Sequence, residues 1–102
     1  MADRLSLQID FETILGSKNV YFQPPESVKL KYPCIVYSLS GIDKLNANDT
    51  MYRHVNEYEV TVIDKDPESV VAHHILAHFP MCRFDRQFVS ENLYHKTLTL
   101  YY

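Results

Sequence analysis

The sequence predicts an α+β domain of two layers, in which two helices cover one face of a mostly antiparallel four-stranded sheet. Segments with the period-two alternation of strands and segments with the helical period of 3.6 follow one another along the chain. The connections in the second half are short, which favours antiparallel neighbours. At 102 residues the chain is expected to form a single α+β domain over residues 1–102.

The stretch from residue 58 to residue 69 is the clearest fold marker, because a half-buried strand runs directly into a helix start. Its apolar residues alternate with polar ones, as in a strand with one wet face. Asp66 is suited to cap the helix that follows, and Pro67 fits the first helical position. The sequence therefore predicts a strand over residues 53–63 and a helix over residues 67–79.

The first half of the chain predicts a helix followed by an extended segment. Residues 2–15 place most of their large apolar side chains on one helical stripe, and Gly16 follows where helices commonly end. Residues 5–11 also alternate as a strand does, but the apolar residues at positions 14 and 15 break that pattern. Residues 20–22 are extended, and the two prolines that follow make this segment an edge or a connection.

A strand and a long loop are predicted next. Residues 34–39 are dense in β-branched and aromatic side chains, which favours a strand that Ser40 and Gly41 then end. Residues 42–52 show little periodicity and contain Asn46, Asn48 and Asp49, so they predict a loop of about ten residues. Loops of this length are uncommon in compact domains unless they have a function.

Residues 81–89 and 93–102 predict a terminal hairpin that turns at Glu91 and Asn92. In its first strand the residues of one predicted face are Cys82, Phe84, Arg86 and Phe88. In its second strand Tyr94, Leu98, Leu100 and Tyr102 are expected to share one face, and His95, Thr97 and Thr99 the other.

One sheet face is predicted to stay free of helices, because two helices can cover only one face of such a sheet. This open face is left to water or to another subunit. Its expected side chains are mostly polar, namely Glu57, Glu59, Thr61, Asp85, Thr97 and Thr99.

Composition and charge argue against several classes of function. Ten basic and thirteen acidic side chains give a net charge of -3, which argues against a surface dedicated to nucleic-acid phosphates. Two glycines leave little room for a phosphate-binding loop, and no dinucleotide fingerprint is present. No basic-then-apolar signal peptide and no apolar run of about 20 residues is present, so the chain is expected to fold in a cytoplasm without a membrane.

The residue types of catalysis and metal binding occur without a convincing pattern. His74 and His78 lie one helical turn apart, but Ile75 stands where a zinc protease needs glutamate. Cys34 and Cys82 lie inside strand-like runs, where cysteines are usually buried thiols. We therefore expect no catalytic residues, no metal and no cofactor, and the protein is predicted not to be an enzyme.

Four segments resemble, in the same order, the tail-completion or tail-terminator proteins of long-tailed, siphovirus-like bacteriophages. A strand of the form Tyr-Pro-x-Ile-Val-Tyr followed some twenty residues later by Val-Thr-Val-Ile-Asp-Lys is the most specific part of the likeness. The segments are VYFQPP at residues 20–25, KYPCIVY at 31–37, YEVTVIDKDP at 58–67 and LTLYY at 98–102.

The resemblance implies a structural virion protein that forms a hexameric ring, ends the tail tube and joins it to the head-side connector. Its partners would be copies of itself, the tail tube protein and the connector, with genomic DNA only passing through the lumen. The candidate subunit contacts are Gln23, Pro24, Pro25, Leu45, Asn46, Asn48 and Asp49. The acidic pair Glu57 and Glu59 is the candidate lining of the lumen.

Two alternatives stay open at this stage. The first is a head-tail joining or minor capsid protein of the neck with the same fold, because such rings share folds. The second is a small intracellular adaptor domain whose sheet and tyrosines form one surface for a protein partner.

Overall fold

Five strands and two helices make up the domain. The computed structural model describes residues 4–47 and 51–102, and the side chains of these residues outside 43–54. The elements in chain order are α1 (Arg4–Leu15), β1 (Val20–Phe22), β2 (Cys34–Ala47), β3 (Met51–Asp64), α2 (Val71–His78), β4 (Cys82–Ser90) and β5 (Leu93–Tyr101). The sheet order is β1-β2-β3-β5-β4, with β1 parallel to β2 and the other neighbours antiparallel. The α+β class is confirmed.

The predicted sheet of four strands is wrong, because the sheet has five strands and is mixed. Val20–Phe22 pairs in parallel with residues 35–37 of β2 and forms an edge. Gln23 extends this edge, since its backbone N–H donates to the Tyr37 carbonyl oxygen over 2.9 Å. A segment of three residues carries too little pattern to reveal its pairing partner.

The core lies between the sheet and the two helices, so both helices cover the same sheet face. Phe11 of α1 is fully buried and makes edge-on ring contacts with Tyr37 of β2 and Phe79 beyond α2. The buried cluster consists of Leu7, Phe11, Val20, Ile35, Tyr37, Tyr58, Val60, Val62, Ala72, Ile75, Phe79, Leu98 and Leu100. Neither helix of the described residues is long and apolar enough to cross a membrane.

The second helix begins four residues later than predicted. Asp64 and Asp66 each accept a hydrogen bond from a backbone N–H two residues further on, at 3.0 and 2.9 Å. These side-chain turns compete with helical backbone bonds and hold the segment outside the helix. The predictions that Asp66 caps α2 and that Pro67 begins it are therefore wrong. The residue before the helix is Val70, which makes no side-chain cap hydrogen bond.

A β-bulge in β4 reverses the alternation of its side chains, so that residues with even numbers lie on one sheet face before the bulge and on the other face after it. The register shifts between Phe84 and Arg86, so that Phe84 faces Leu98 whereas Phe88 faces His95. The predicted single face for all four alternating residues is thus wrong, because one extra residue in a strand reverses the alternation beyond it.

β2 and β3 extend well beyond the rest of the sheet as a two-stranded arm, which we define as residues 42–47 and 51–56. Their pairing continues to Ala47 and Met51, whereas β5 accompanies β3 only from residue 57 onward. The predicted loop over residues 42–52 is therefore wrong for its described part, and residues 48–50 lie outside the described residues. Ser40 and Gly41 form a bulge within β2 and do not end it.

Candidate functional site

The open face of the sheet carries the polar side chains that the alternation of β3 and β5 predicted. The alternate residues Tyr58, Val60 and Val62 are buried beneath the helices, which places Glu59 and Thr61 on the other face. Across the strands the register aligns Glu59 with Ser38 and Thr99, and Thr61 with Val36 and Thr97. This face is a polar surface, and an open pocket lined in part by Arg83, Thr99 and Tyr101 lies at its β4 edge.

Glu57 is held at the base of the arm by two neighbouring strands. Its Oε1 accepts a hydrogen bond from Tyr101 Oη over 2.8 Å. Ser40 Oγ lies 3.0 Å from both Glu57 Oε2 and the Glu57 carbonyl oxygen. A Cβ added to Gly41 would lie 3.3 Å from Oε2, so the missing side chain leaves room for the carboxylate. These contacts join β2, β3 and β5 where the arm leaves the sheet.

Glu59 differs from Glu57 in its environment, although the two residues lie on the same strand face. Its side chain is exposed, and it has no hydrogen bond or ion pair with the described residues. The sequence pattern alone treated the two carboxylates as equivalent. The structure gives Glu57 a positioning contact and leaves Glu59 available to solvent or to a ligand.

The edge strand β4 carries two arginines on the open face. Arg83 Nε donates to Asp85 Oδ1 over 3.1 Å, and this hydrogen bond, with the charge of the carboxylate, raises the pKa of Arg83. Asp85 Oδ2 also accepts a hydrogen bond from Thr99 Oγ1 over 2.6 Å. Arg86 lies beyond the bulge with its guanidinium carbon 5.1 Å from the centre of the Phe88 ring. The pair is a small basic edge, and Asp85 offsets part of its charge.

An aromatic pair ends the open face next to this basic edge. The rings of Phe88 and His95 stack with centres 4.8 Å apart and planes at 12°. His95 Nδ1 is 3.1 Å from the Leu93 carbonyl oxygen. The bulge in β4 produces this pair, because without it Phe88 would face the helices. No pattern in the sequence alone marked the bulge.

The predicted subunit contacts fall into two separate places. Gln23, Pro24 and Pro25 follow β1 at one sheet edge, and Gln23 Oε1 accepts a hydrogen bond from the Leu39 N–H over 3.1 Å. Leu45 and Asn46 belong to the arm, where the register aligns them with Arg53 and Tyr52. Leu45 is six residues beyond Leu39, which corresponds to about 20 Å along a strand.

The remaining candidates, Asn48 and Asp49, lie outside the described residues. The two places therefore do not form one continuous patch within a subunit. A contact that uses both would join two different surfaces of neighbouring subunits.

Three histidines lie on α2, whereas Cys34, Cys82 and His95 lie on three different strands. His78 Nε2 lies 3.7 Å from Asp10 Oδ2, and His73 and His74 are exposed on α2. Among the side chains that the structure describes, no three His, Cys, Asp or Glu form a group that could hold a metal ion. Burial raises the pKa of both thiols, Cys34 and Cys82, to about 11, with a further contribution from Asp64 and Asp85 respectively.

The fold and this surface define a small α+β domain with a polar open sheet face and a protruding two-stranded arm. The sequence matches no model of a known protein family, and no curated protein matches it.

Proposed function

We propose that the chain is a structural subunit of a phage tail or neck. Six identical subunits would form a closed ring at the end of the tail tube. The resemblance of the sequence to tail terminators is the reason for proposing this class of protein. The protruding arm is the observation that carries the proposal, because a closed ring needs each subunit to reach its neighbour through a surface different from the one it receives.

The arm is suited to such a contact by its length and by its backbone. Residues 42–47 alone extend about 20 Å at the rise of a strand. Over residues 51–55 the strand β3 has β2 as its only partner among the described residues, so one edge of the arm carries unpaired backbone groups. Unpaired edges bind other extended segments by strand addition.

The sheet also offers receiving edges for a neighbouring subunit. The strand order leaves β1 and β4 at the two ends of the described sheet. The β1 edge continues into Gln23, Pro24 and Pro25, the first group of predicted contacts. We assign the arm of one subunit to one of these edges on the next subunit, which gives a head-to-tail contact.

The open sheet face is our candidate for the lumen of the ring. Glu59 is exposed there and would repel DNA phosphates, so that DNA slides through without binding. Glu57 adds negative charge to the same face, although its carboxylate also holds the base of the arm.

Native mass spectrometry and light scattering of the purified protein test the ring. Six copies of the 12.0 kDa chain correspond to about 72 kDa. We expect this species either in solution or after incubation with purified tail tubes, followed by sedimentation of the tubes with bound protein. A strict monomer that does not bind tail tubes would contradict the proposal and would favour the adaptor alternative.

Electron microscopy of assembled particles distinguishes a tail terminator from the other neck proteins by the position of the ring. A ring directly on the upper end of the tail tube agrees with a tail terminator. A ring above the connector interface would instead assign the chain to the head-tail joining or minor capsid proteins.

A further inference from the structure

A small cleft lies between α2 and the β4–β5 hairpin, on the helix-covered side of the sheet. Its volume is about 160 Å³. The lining residues are Ala72, His73, Leu76, Phe84, Gln87 and Lys96. Ala72, Leu76 and Phe84 make its walls largely apolar, and Phe84 is 44% exposed at the outer edge strand. The cleft is separate from the open face and from the arm.

Lys96 is the unusual member of this lining, because a lysine is almost never buried without a partner of opposite charge. It is only 7% exposed. Its Nζ donates one hydrogen bond, over 2.8 Å, to the backbone carbonyl oxygen of Ser69, which is itself buried. Among the described residues no carboxylate lies within ion-pair distance of Nζ. The ammonium group has three N–H donors, so two are left for another acceptor.

We propose that the cleft binds a carboxylate carried on a short apolar stem, with Lys96 Nζ as the group that recognises the charge. The stem would pack against Leu76 and Phe84, which form apolar walls of the cleft. The carboxylate would supply the negative partner that the buried ammonium lacks in the described chain. The side-chain amide of Gln87 provides a second donor at the cleft.

The lining chemistry favours a monoanion over other ligands. A phosphate dianion requires several strong donors, whereas Lys96 is the one lysine or arginine in this lining. A cation would be repelled by the ammonium, and a neutral apolar molecule would leave the charge uncompensated. Two sources carry the required chemistry, namely a free short-chain carboxylic acid and a glutamate side chain of a polypeptide that lies along the edge strand β4.

Nuclear magnetic resonance titration of the ¹⁵N-labelled full chain tests the site with sodium butyrate as the probe. Butan-1-ol and butylammonium chloride have the same number of carbon atoms without the negative charge and serve as matched controls. We expect saturable shifts of the amide signals of Leu76, Phe84 and Gln87 with butyrate. Binding of the two control compounds should be weaker by at least about tenfold, the effect of losing a hydrogen bond to a charged group.

The substitution Lys96→Met removes the charge and keeps an unbranched side chain. We expect it to weaken butyrate binding by about tenfold or more while the protein stays folded, because an apolar residue is well tolerated at a buried charged position. Lys31→Met is the control, since Lys31 is exposed beyond the opposite edge of the sheet, near β1. This control should bind butyrate as the unaltered protein does.

Two short peptides distinguish the sources of the carboxylate. Acetyl-Thr-Val-Glu-Val-Thr-amide carries the glutamate stem, and the peptide with glutamine in its place is its neutral match. Preference for the glutamate peptide identifies a polypeptide ligand, whereas butyrate binding alone identifies a free carboxylic acid. The proposal is overturned if neither probe causes saturable shifts, or if the neutral compounds bind as well as the charged ones. The comparison of probes uses the unaltered protein and does not depend on the folding of a variant.

Discussion

Single residues at the base of the arm explain how two glutamates on one strand face acquire different roles. Glu57 accepts a hydrogen bond from Tyr101 and has Ser40 Oγ within hydrogen-bonding distance, whereas Glu59 is exposed and contacts neither. Hydrogen bonds to a charged acceptor stabilise a fold more than neutral ones, particularly where the acceptor is half-buried. We therefore regard Glu57 as a positioning residue and Glu59 as the residue free to meet a partner.

Replacing Glu57 by alanine is expected to lower the free energy of unfolding by about 1–3 kcal/mol, since Tyr101 loses the carboxylate that accepts its hydrogen bond and Ser40 keeps only the carbonyl oxygen of residue 57. Urea denaturation followed by circular dichroism measures this change. Glu59→Ala, the matched control, should stay within about 0.5 kcal/mol of the unaltered protein, as exposed substitutions usually do. Equal effects of the two substitutions would show that the hydrogen bonds of Glu57 contribute nothing.

The two thiols, Cys34 and Cys82, are predicted to react slowly in the folded protein. Burial raises the pKa of Cys34 and Cys82 from 9.0 to about 11, because a thiolate is poorly solvated in the interior. At pH 8 the folded protein should react with a thiol-specific disulfide reagent about a hundredfold more slowly than the urea-unfolded chain, which has more thiolate. Similar rates in the two states would contradict this expectation.

The same thiols affect stability at alkaline pH. Their pKa is higher in the folded state than in the unfolded state, so their stabilising contribution is complete below pH 9.0 and is lost as the pH rises through about 11. Urea midpoints across this interval should therefore fall. The double variant Cys34→Ala/Cys82→Ala is the control for other alkaline groups, and its midpoint should fall less.

Two β-bulges shape the elements that carry the surface. The bulge at Ser40 lies where β2 leaves the sheet to form the arm. The bulge at Asp85 places the side chains of Arg86 and Phe88 on the open face. Bulges bend a strand and redirect its side chains. They thereby produce the arm base with Glu57 and the stacked pair of Phe88 and His95.

Shortening the arm should separate folding from assembly. Replacing residues 43–55 by Asn-Gly joins Ile42 to Asn56, which pair directly, through a turn suited to hairpins. The variant keeps every residue of the buried cluster named above, so thermal melting should stay within a few degrees of the unaltered protein. The variant is expected to stay monomeric by native mass spectrometry under conditions in which the unaltered chain forms rings.

The exposed substitution Lys29→Ala, in the connection between β1 and β2, is the control and should still assemble. Ring formation by the shortened variant would show that the arm is not part of the subunit contact.

At the scale of the whole molecule, the net charge of -3 and the exposed Glu59 fit a ring through which DNA slides. Glu59→Lys changes the local charge of each subunit by two units, and in the proposed ring the symmetry would repeat this change around the lumen. We expect slower DNA ejection from particles that carry this variant, with unaltered assembly. Ejection rates measured by fluorescence of a DNA-binding dye check this expectation.

Glu91→Lys makes the same charge change in the turn between β4 and β5 and serves as the control. Equal ejection rates for Glu59→Lys and the unaltered ring would exclude the open face from the lumen.

The sequence by itself determined the α+β class and the faces of β3 and β5. Both follow from local periodicity, which one strand or helix displays within its own residues. The alternation of Tyr58, Val60 and Val62 with Glu57 and Glu59 was sufficient to orient the central strand. The alternation of β5 also contained the signal for Lys96, which lies between the buried-face residues Tyr94 and Leu98, although its charge suggested a surface position.

Only the tertiary structure decided the pairing of β1, the two bulges, the arm and the late start of α2. Each of these depends on groups far apart in sequence or on local competition between side-chain and backbone hydrogen bonds, which periodicity does not reveal. Val20–Phe22 gains its partner 15 residues away, and the hydroxyl groups around Glu57 come from strands 17 and 44 residues distant. Pattern specifies which side of an element is apolar, whereas packing decides which other element meets that side, and where a strand bends or continues.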